Sequence, residues 1–233
     1  MTDTSSIDVR RFGSRAELQA ALVERLAQAL ADPRGPPDAA GAAIMLSGGT
    51  TPIPAYRELA ARSPAAAPGL RLLFSDDRYV PSAANASNFH QSLPLITALR
   101  LPEDSVLRVR TELPLELAAD DYERRIDALV SAGVRFSFGL LGLGADGHTA
   151  SLFNDGDIRK ASGQRAIAVD RPDRMQAVSV TPEVIGRFEE LVFVVAGADK
   201  HDAVQALLKG DPRIAATRAI ASRKQTQLWL AEV

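Results

Sequence analysis

At 233 residues, with 46% apolar side chains and a formal net charge of -2, the chain can bury a sizeable core and shows no electrostatic bias toward nucleic acid or an anionic membrane surface. It contains no cysteine, which excludes disulfides, thiolate metal sites and cysteine nucleophiles. The stretch from Met1 to Val9 lacks the basic-then-apolar pattern of a secretory signal, and no apolar run approaches the ~20 residues of a spanning helix. A soluble, cytoplasmic protein is expected, as a single domain over residues 1–233 with residues 1–8 flexible.

In chain order, Ser14 to Ala31 reads as a helix, with Ser14 and Glu17 as a capping box and Leu18, Leu22, Leu26 and Leu30 on one face. Three prolines and a glycine between Asp32 and Asp38 stop it. Ala42 to Leu46 is a short apolar strand that ends in Ser47-Gly48-Gly49-Thr50-Thr51-Pro52, and Ile53 to Ala61 is helical, with Pro52 suited to the first turn. Leu70 to Phe74 is strand-like, Ser75-Asp76-Asp77-Arg78 is the loop at its end, and Ser87 to Leu99 is a helix. Val106 to Val109 reads as a short strand and Leu115 to Val130 as a helix closed by Gly133. Strands follow at Phe136 to Leu141, Ala166 to Val169, Ala177 to Val180, Leu191 to Ala196 and Gln225 to Ala231, with a helix from Asp199 to Lys209. This alternation predicts an α/β fold: one doubly wound, mainly parallel sheet with helices on both faces.

Four strand ends carry unusual residues. Gly142-Leu143-Gly144-Ala145-Asp146-Gly147-His148 places a carboxylate two residues from an imidazole, and His148 is one of only three histidines, with His90 and His201. The plain alternative is a glycine-rich turn with an ordinary polar residue. Ser47-Gly48-Gly49-Thr50 offers backbone amides at a helix start, where an anion binds, but fits neither the Walker A nor the dinucleotide pattern; an empty tight turn reads equally well. Asp76, Asp77 and Arg78 fit either a solvated cluster or an arginine that forks onto phosphate beside carboxylates. Gly197-Ala198-Asp199-Lys200 reads as solvated surface or as a point charge for phosphate. In a parallel sheet all four loops face one side, which describes a site for a phosphorylated small molecule with a base near its far end.

Asp146 and His148 are too few for a zinc site, and no Gly-x-Ser-x-Gly elbow supports a serine triad. A neutral histidine that activates water, oriented by a carboxylate, needs only what is present, so no metal or cofactor is required.

These residues resemble the 6-phosphogluconolactonase family. The matches are Ser47 to Pro52, Asp76-Asp77-Arg78-Tyr79-Val80-Pro81, Ser87-Asn88, Gly142 through Phe153, and Gly197 with Lys200. The resemblance spans about Phe12 to Leu230, and its most specific part is Asp146-Gly147-His148-Thr149-Ala150-Ser151-Leu152-Phe153. It implies the doubly wound fold shared with sugar-phosphate isomerases and deaminases, and hydrolysis of 6-phospho-D-glucono-1,5-lactone in the oxidative pentose phosphate pathway. It implies His148 as general base and Asp146 as its support. Ser47, Gly48, Gly49, Thr50, Arg78 and Lys200 would hold phosphate, with Asp76 and Asn88 at the sugar. The expected partner is the phosphorylated sugar lactone, with no nucleic acid or membrane, and the chain a monomer or weak homodimer.

Three positions depart from the family pattern. Asp77 replaces a glutamate, Asn154 replaces a proline, which is expected to loosen the loop behind His148, and Ala177 stands where an arginine usually precedes the next strand. Arg174, three residues earlier, is the candidate for that arginine's role. The rival readings are an amino-sugar phosphate deaminase or isomerase and a non-catalytic sugar-phosphate sensor. Thr149 to Phe153 stands where the deaminases carry Ile-Ala-Phe-Asn-Glu, and no segment is left over for a DNA-reading or partner domain.

Overall fold

The computed structural model describes residues 6–32 and 40–233; residues 1–5 and the expected stop beyond Asp32 lie outside them. Elements in chain order are β1 (Ser6–Phe12), α1 (Arg15–Ala31), β2 (Ala42–Leu46), α2 (Pro52–Ala61), β3 (Arg71–Phe74), β4 (Asp76–Arg78) and α3 (Asn88–Leu99). Then come β5 (Val106–Leu107), α4 (Leu115–Ser131), β6 (Arg135–Leu141), α5 (Asp155–Lys160), β7 (Ala166–Asp170), β8 (Gln176–Val180) and α6 (Pro182–Arg187). The last are β9 (Glu190–Ala196), α7 (His201–Leu208), α8 (Ala215–Ala219) and β10 (Gln225–Ala231). No helix among the described residues is long and apolar enough to cross a membrane.

Seven strands form a parallel sheet in the order β1-β10-β9-β6-β2-β3-β5. From β2 the chain winds outward through β3 to β5, then returns to β6 and winds the other way through β9 and β10. The switch point, where an open α/β sheet leaves a crevice at its carboxyl edge, therefore lies between β2 and β6.

Period-2 alternation sends the two faces of each strand into separate cores. Ile44, Leu46, Leu72, Phe74, Phe138, Leu140, Val192 and Val194 pack under α1, α2 and α3, and meet fully buried Leu18, Leu22, Leu26 and Leu30 of α1. Each such leucine contributes on the order of 1.5–3 kcal/mol. Ala43, Met45, Leu73, Leu141, Phe193 and Val195 face α4, α7 and α8. Coverage on both faces explains why these strands are apolar runs. The expected cap of α1 forms in part: Ser14 Oγ accepts from the Glu17 amide at 3.2 Å, but the Glu17 carboxylate turns to the Gly13 amide at 2.9 Å.

Three features differ from expectation. Ser6, Ile7 and Asp8, expected to be flexible, pair with β10 as part of β1, an edge strand whose exposed charged positions hide its pattern. Asp76–Arg78 is not a loop: it pairs with β8, which pairs with β7, in a separate antiparallel sheet of three strands. That pairing is tertiary, since Ser75 links the sheets by donating its amide to Leu46 O at 2.8 Å and accepting from Val180 N at 2.9 Å. The helix expected from Asp199 begins as a 3-10 turn, Ala198–Lys200, and becomes α-helical at His201.

Candidate active site

The four loops converge at the carboxyl edge around a cavity of about 190 Å³. At the end of β2, Tyr56 fixes Ser47: its hydroxyl donates to Ser47 O at 2.9 Å and accepts from Ser47 N at 3.1 Å. Gly48 must lack a side chain, because a Cβ there would lie 1.9 Å from Asn88 Oδ1, and Gly49 turns at φ +110°. Thr51 at the N-cap of α2 makes no side-chain cap, but Pro52 and Pro54 give the first turn no N–H and Ile53 N donates to Gly49 O at 3.4 Å, so the amides left for an anion are those of Gly48, Gly49 and Thr50 in the loop before the helix. Ser47, Gly48, Gly49 and Thr50 all line the cavity.

The two aspartates that follow β3 point apart, as successive strand residues do. Asp76 lines the cavity, buried, and accepts from Ser75 Oγ at 2.8 Å and Ser151 Oγ at 2.7 Å. Asp77 turns to the start of α3, where it accepts from Asn88 N at 2.6 Å, Ser87 Oγ at 3.0 Å and Phe89 N at 3.2 Å. Burial pushes its carboxyl up to about 6, against those three hydrogen bonds. By holding the first turn of α3, Asp77 fixes Asn88, which donates from Nδ2 to Asp76 O at 2.8 Å and accepts from Arg78 Nη1. Arg78 also donates to Ala86 O at 3.3 Å, while its buried Nε has no partner among the described residues.

The loop after β6 is folded on itself: Gly144 N donates to His148 O at 2.9 Å and Thr149 Oγ1 to Gly142 O at 2.9 Å. Asp146 Oδ1 accepts from the His148 amide at 3.1 Å and lies 2.5 Å from His148 Nδ1. Partial burial pushes the Asp146 carboxyl up, but these two bonds outweigh it and hold the group below its usual value. An ionised carboxylate only accepts, which assigns the proton to Nδ1 and leaves Nε2 as the acceptor. His148 lines the cavity; Asp146 stands behind it, outside the lining. The Phe153 ring backs the imidazole at a centroid distance of 4.5 Å. Asn154 does not loosen this loop. It caps α5, accepting from Gly156 N at 2.7 Å and Asp157 N at 3.2 Å, while Asp157 Oδ2 accepts from Phe153 N at 2.8 Å.

After β9, Gly197 turns at φ +113° and Lys200 enters the cavity lining, its Nζ 3.1 Å from Asp199 Oδ2. Arg174 is not among the residues that line the cavity: it is exposed, at φ +67°, in the turn between β7 and β8. Arg171, at the other end of that turn, lines the cavity instead. The strands expected at Ala166 to Val169 and Ala177 to Val180 belong to the small antiparallel sheet and not to the main one, a pairing that their apolar pattern does not declare. The turn chemistry of Arg171-Pro172-Asp173-Arg174 signals a hairpin, and its register sets Arg171 opposite Met175, on the same face as Ala177 and one diagonal step from it. Ser151, which joins Arg171 to Asp76, was likewise passed over. The arrangement can bind an anion with amides and cations at one part and offer an imidazole base at another.

The chain is similar to known proteins over most of its length. Residues 13–229 match the family described as glucosamine-6-phosphate isomerases/6-phosphogluconolactonase. The 6-phosphogluconolactonase of Thermotoga maritima is 32% identical over 175 residues, covering 72% of this chain and 76% of its own. The human 6-phosphogluconolactonase is 33% identical over 211 residues, covering 85% and 80%. The crystal structure of 6-phosphogluconolactonase from T. maritima shares the fold, with a TM-score of 0.81 and 24% identity over 97% of this chain and 100% of that one. The chain belongs to the family of glucosamine-6-phosphate isomerases and 6-phosphogluconolactonases, on its 6-phosphogluconolactonase branch.

Proposed function

We propose that the chain hydrolyses 6-phospho-D-glucono-1,5-lactone to 6-phospho-D-gluconate, with His148 as general base and no covalent intermediate. The observation that carries this reading is the 2.5 Å contact between Asp146 Oδ1 and His148 Nδ1, with His148 lining the same cavity as Arg78 and Lys200. With Nδ1 committed to Asp146, Nε2 takes a proton from water, whose oxygen attacks the lactone carbonyl; the ring C–O bond then breaks, and the proton on Nε2 passes to the departing ring oxygen, which becomes the sugar hydroxyl and restores the neutral imidazole. Asp146 keeps the tautomer and steadies the imidazolium as it forms. The lactone is already an activated ester, so positioning plus one base suffices. The open amides of Gly48, Gly49 and Thr50, with Arg78 and Lys200, hold the phosphate, the Ser47 side chain lines the same cavity, and Asp76 and Asn88 order the sugar hydroxyls. These groups ring one cavity at the edge of one continuous sheet, which supports a single functional domain; the proposed state is a monomer or weak homodimer.

The test is acid release from freshly generated 6-phosphogluconolactone above the spontaneous rate. His148→Ala is expected to lose about 10²–10⁴-fold in kcat, the usual contribution of a positioned base, while binding 6-phosphogluconate as before. Full activity in that variant would remove histidine from the mechanism.

A further inference from the structure

We infer that Arg171, carried to the cavity by the β7–β8 hairpin and fixed by Asp173, is the third anion-binding cation of this site and sets its demand for a phosphorylated ligand. The inference rests on the lactonase reading only for the ligand's identity; the anion chemistry stands on the geometry.

The small sheet makes the placement. Arg78 pairs with Ala177 across β4 and β8, and Ala177 pairs with Val169 across β8 and β7, so the three form one row. Arg171 lies two residues beyond Val169 and continues in register, its amide donating to Met175 O at 2.9 Å. Residues two apart on a strand share a face, so Arg171 and Arg78 emerge on the same side of the sheet. Ala177 leaves the middle of the row without a long side chain, and both arginines line the cavity.

Arg171 is built in, not draped over the surface, with its side chain only 10% exposed. Asp173 grips one edge of its fork: Nε lies 3.2 Å from both carboxylate oxygens and Nη2 lies 2.9 Å from Oδ2. Nη1 donates to Ser151 Oγ at 3.0 Å, and the guanidinium carbon sits 5.2 Å from the Phe153 ring centroid. A guanidinium has five N–H donors in a plane. These contacts occupy the Nε edge and one Nη1 hydrogen, which leaves one hydrogen on each terminal nitrogen without a partner among the described residues. That open end suits two oxygens of a phosphate, for which arginine geometry is matched.

Asp173 is the positioning residue. Its oxygen also accepts from the Met175 amide at 3.2 Å, which ties the carboxylate to the turn. Hydrogen bonds from Arg171 keep the Asp173 carboxyl below its usual range, so it stays ionised as the anchor, with the charge of Arg78 adding to the effect. The anchor prevents the long side chain from leaving the cavity and lowers the entropy lost when a ligand is forked.

The probes are inorganic phosphate and 6-phosphogluconate, followed by calorimetry on the full chain, together with kinetics on phosphorylated and unphosphorylated gluconolactone. Arg171→Met keeps an apolar stem against Phe153 and removes the charge. It is expected to weaken both anions about ten- to a hundredfold and to raise KM for the phosphorylated lactone alike, with kcat within about twofold. On the unphosphorylated lactone kcat/KM should stay within about twofold of wild type. Arg171→Lys should recover only part of the loss, and Asp173→Ala, at an exposed turn, should raise KM about three- to tenfold at constant kcat. Undiminished phosphate binding by Arg171→Met, or equal losses on both lactones, overturns the proposal, the second outcome by making Arg171 a brace for Ser151 and Phe153. Should Arg171→Met fail to fold, unchanged KM in Asp173→Ala overturns it instead. If the wild type fails to hydrolyse the phosphorylated lactone, the lactonase reading falls while the calorimetry still decides the role of Arg171.

Discussion

Gly144→Ala is the most direct perturbation of the base without touching it. A Cβ at residue 144 would lie 2.1 Å from His148 Nδ1, 2.3 Å from its Cε1 and 2.5 Å from Asp146 Oδ1. The first of these is more than about 1 Å inside van der Waals contact, and the added methyl has no backbone freedom to escape, because Gly144 N is bonded to His148 O at 2.9 Å. The imidazole must therefore swing away, which separates Nδ1 from Asp146 and moves Nε2. A displacement of about 1 Å at a reacting group costs about a hundredfold in rate, or about 2.7 kcal/mol of transition-state stabilisation. The phosphate groups lie on other loops, so kcat for 6-phosphogluconolactone should fall about a hundredfold while the dissociation constant for 6-phosphogluconate changes less than about twofold. Steady-state kinetics beside calorimetry separates the two. A Gly144→Ala enzyme with kcat within about threefold of wild type would refute the assignment of catalysis to the Asp146–His148 pair.

Asp77 carries a pH signature of stability. Its folded carboxyl is pushed up to about 6 by burial, so the native state binds an extra proton between about 4 and 6; the favourable contribution is complete below the unfolded value and fades as pH rises through about 6. A shift of about 2 units corresponds to about 3 kcal/mol, so urea midpoints should decline over that window in the wild type and lose this component of the slope in Asp77→Asn. Arg78→Ala and Lys200→Ala should each raise KM for the phosphorylated lactone about ten- to a hundredfold and leave the unphosphorylated lactone nearly unaffected. An equal loss on both substrates in either variant would contradict the phosphate assignment.

The main sheet was legible because the forces that build it are written locally. Buried parallel strands such as Ala42–Leu46, Arg135–Leu141 and Glu190–Ala196 must be apolar on both faces, and each stops at glycine or serine where the chain meets the crevice. The small antiparallel sheet was not legible for the opposite reason. Asp76–Arg78 has no strand propensity, and it becomes a strand only because Ser75 bridges Leu46 O and Val180 N and sets it against β8. Short helices such as Asp155–Lys160 and Ala215–Ala219 are a turn or so long, too brief for a 3.6-residue period to declare itself. Where Asn154 stands for the family proline, the local rule was present and unread: Asn at an N-cap with an acid three residues on is a capping box.

The same division explains the site. Ser47, Gly48, Gly49, His148 and Lys200 are reached by following parallel strands to their carboxyl ends, because a switch point gathers those ends whatever the intervening sequence. Arg171 obeys a different geometry. It comes from a hairpin tip, and its distance along the chain from the expected arginine position at Ala177 says nothing until the register is known. Three residues before Ala177 along the chain stands Arg174, exposed in the turn at φ +67°; two residues past Val169, the cross-strand partner of Ala177, stands Arg171. In an antiparallel pair a side chain can be supplied to the same face from either strand, so a functional position belongs to the row of the sheet and not to one strand's numbering. For this chain that row runs Arg78, Ala177, Val169. The small residue at its centre lets an arginine from beyond its far end and one from its near end line a single cavity.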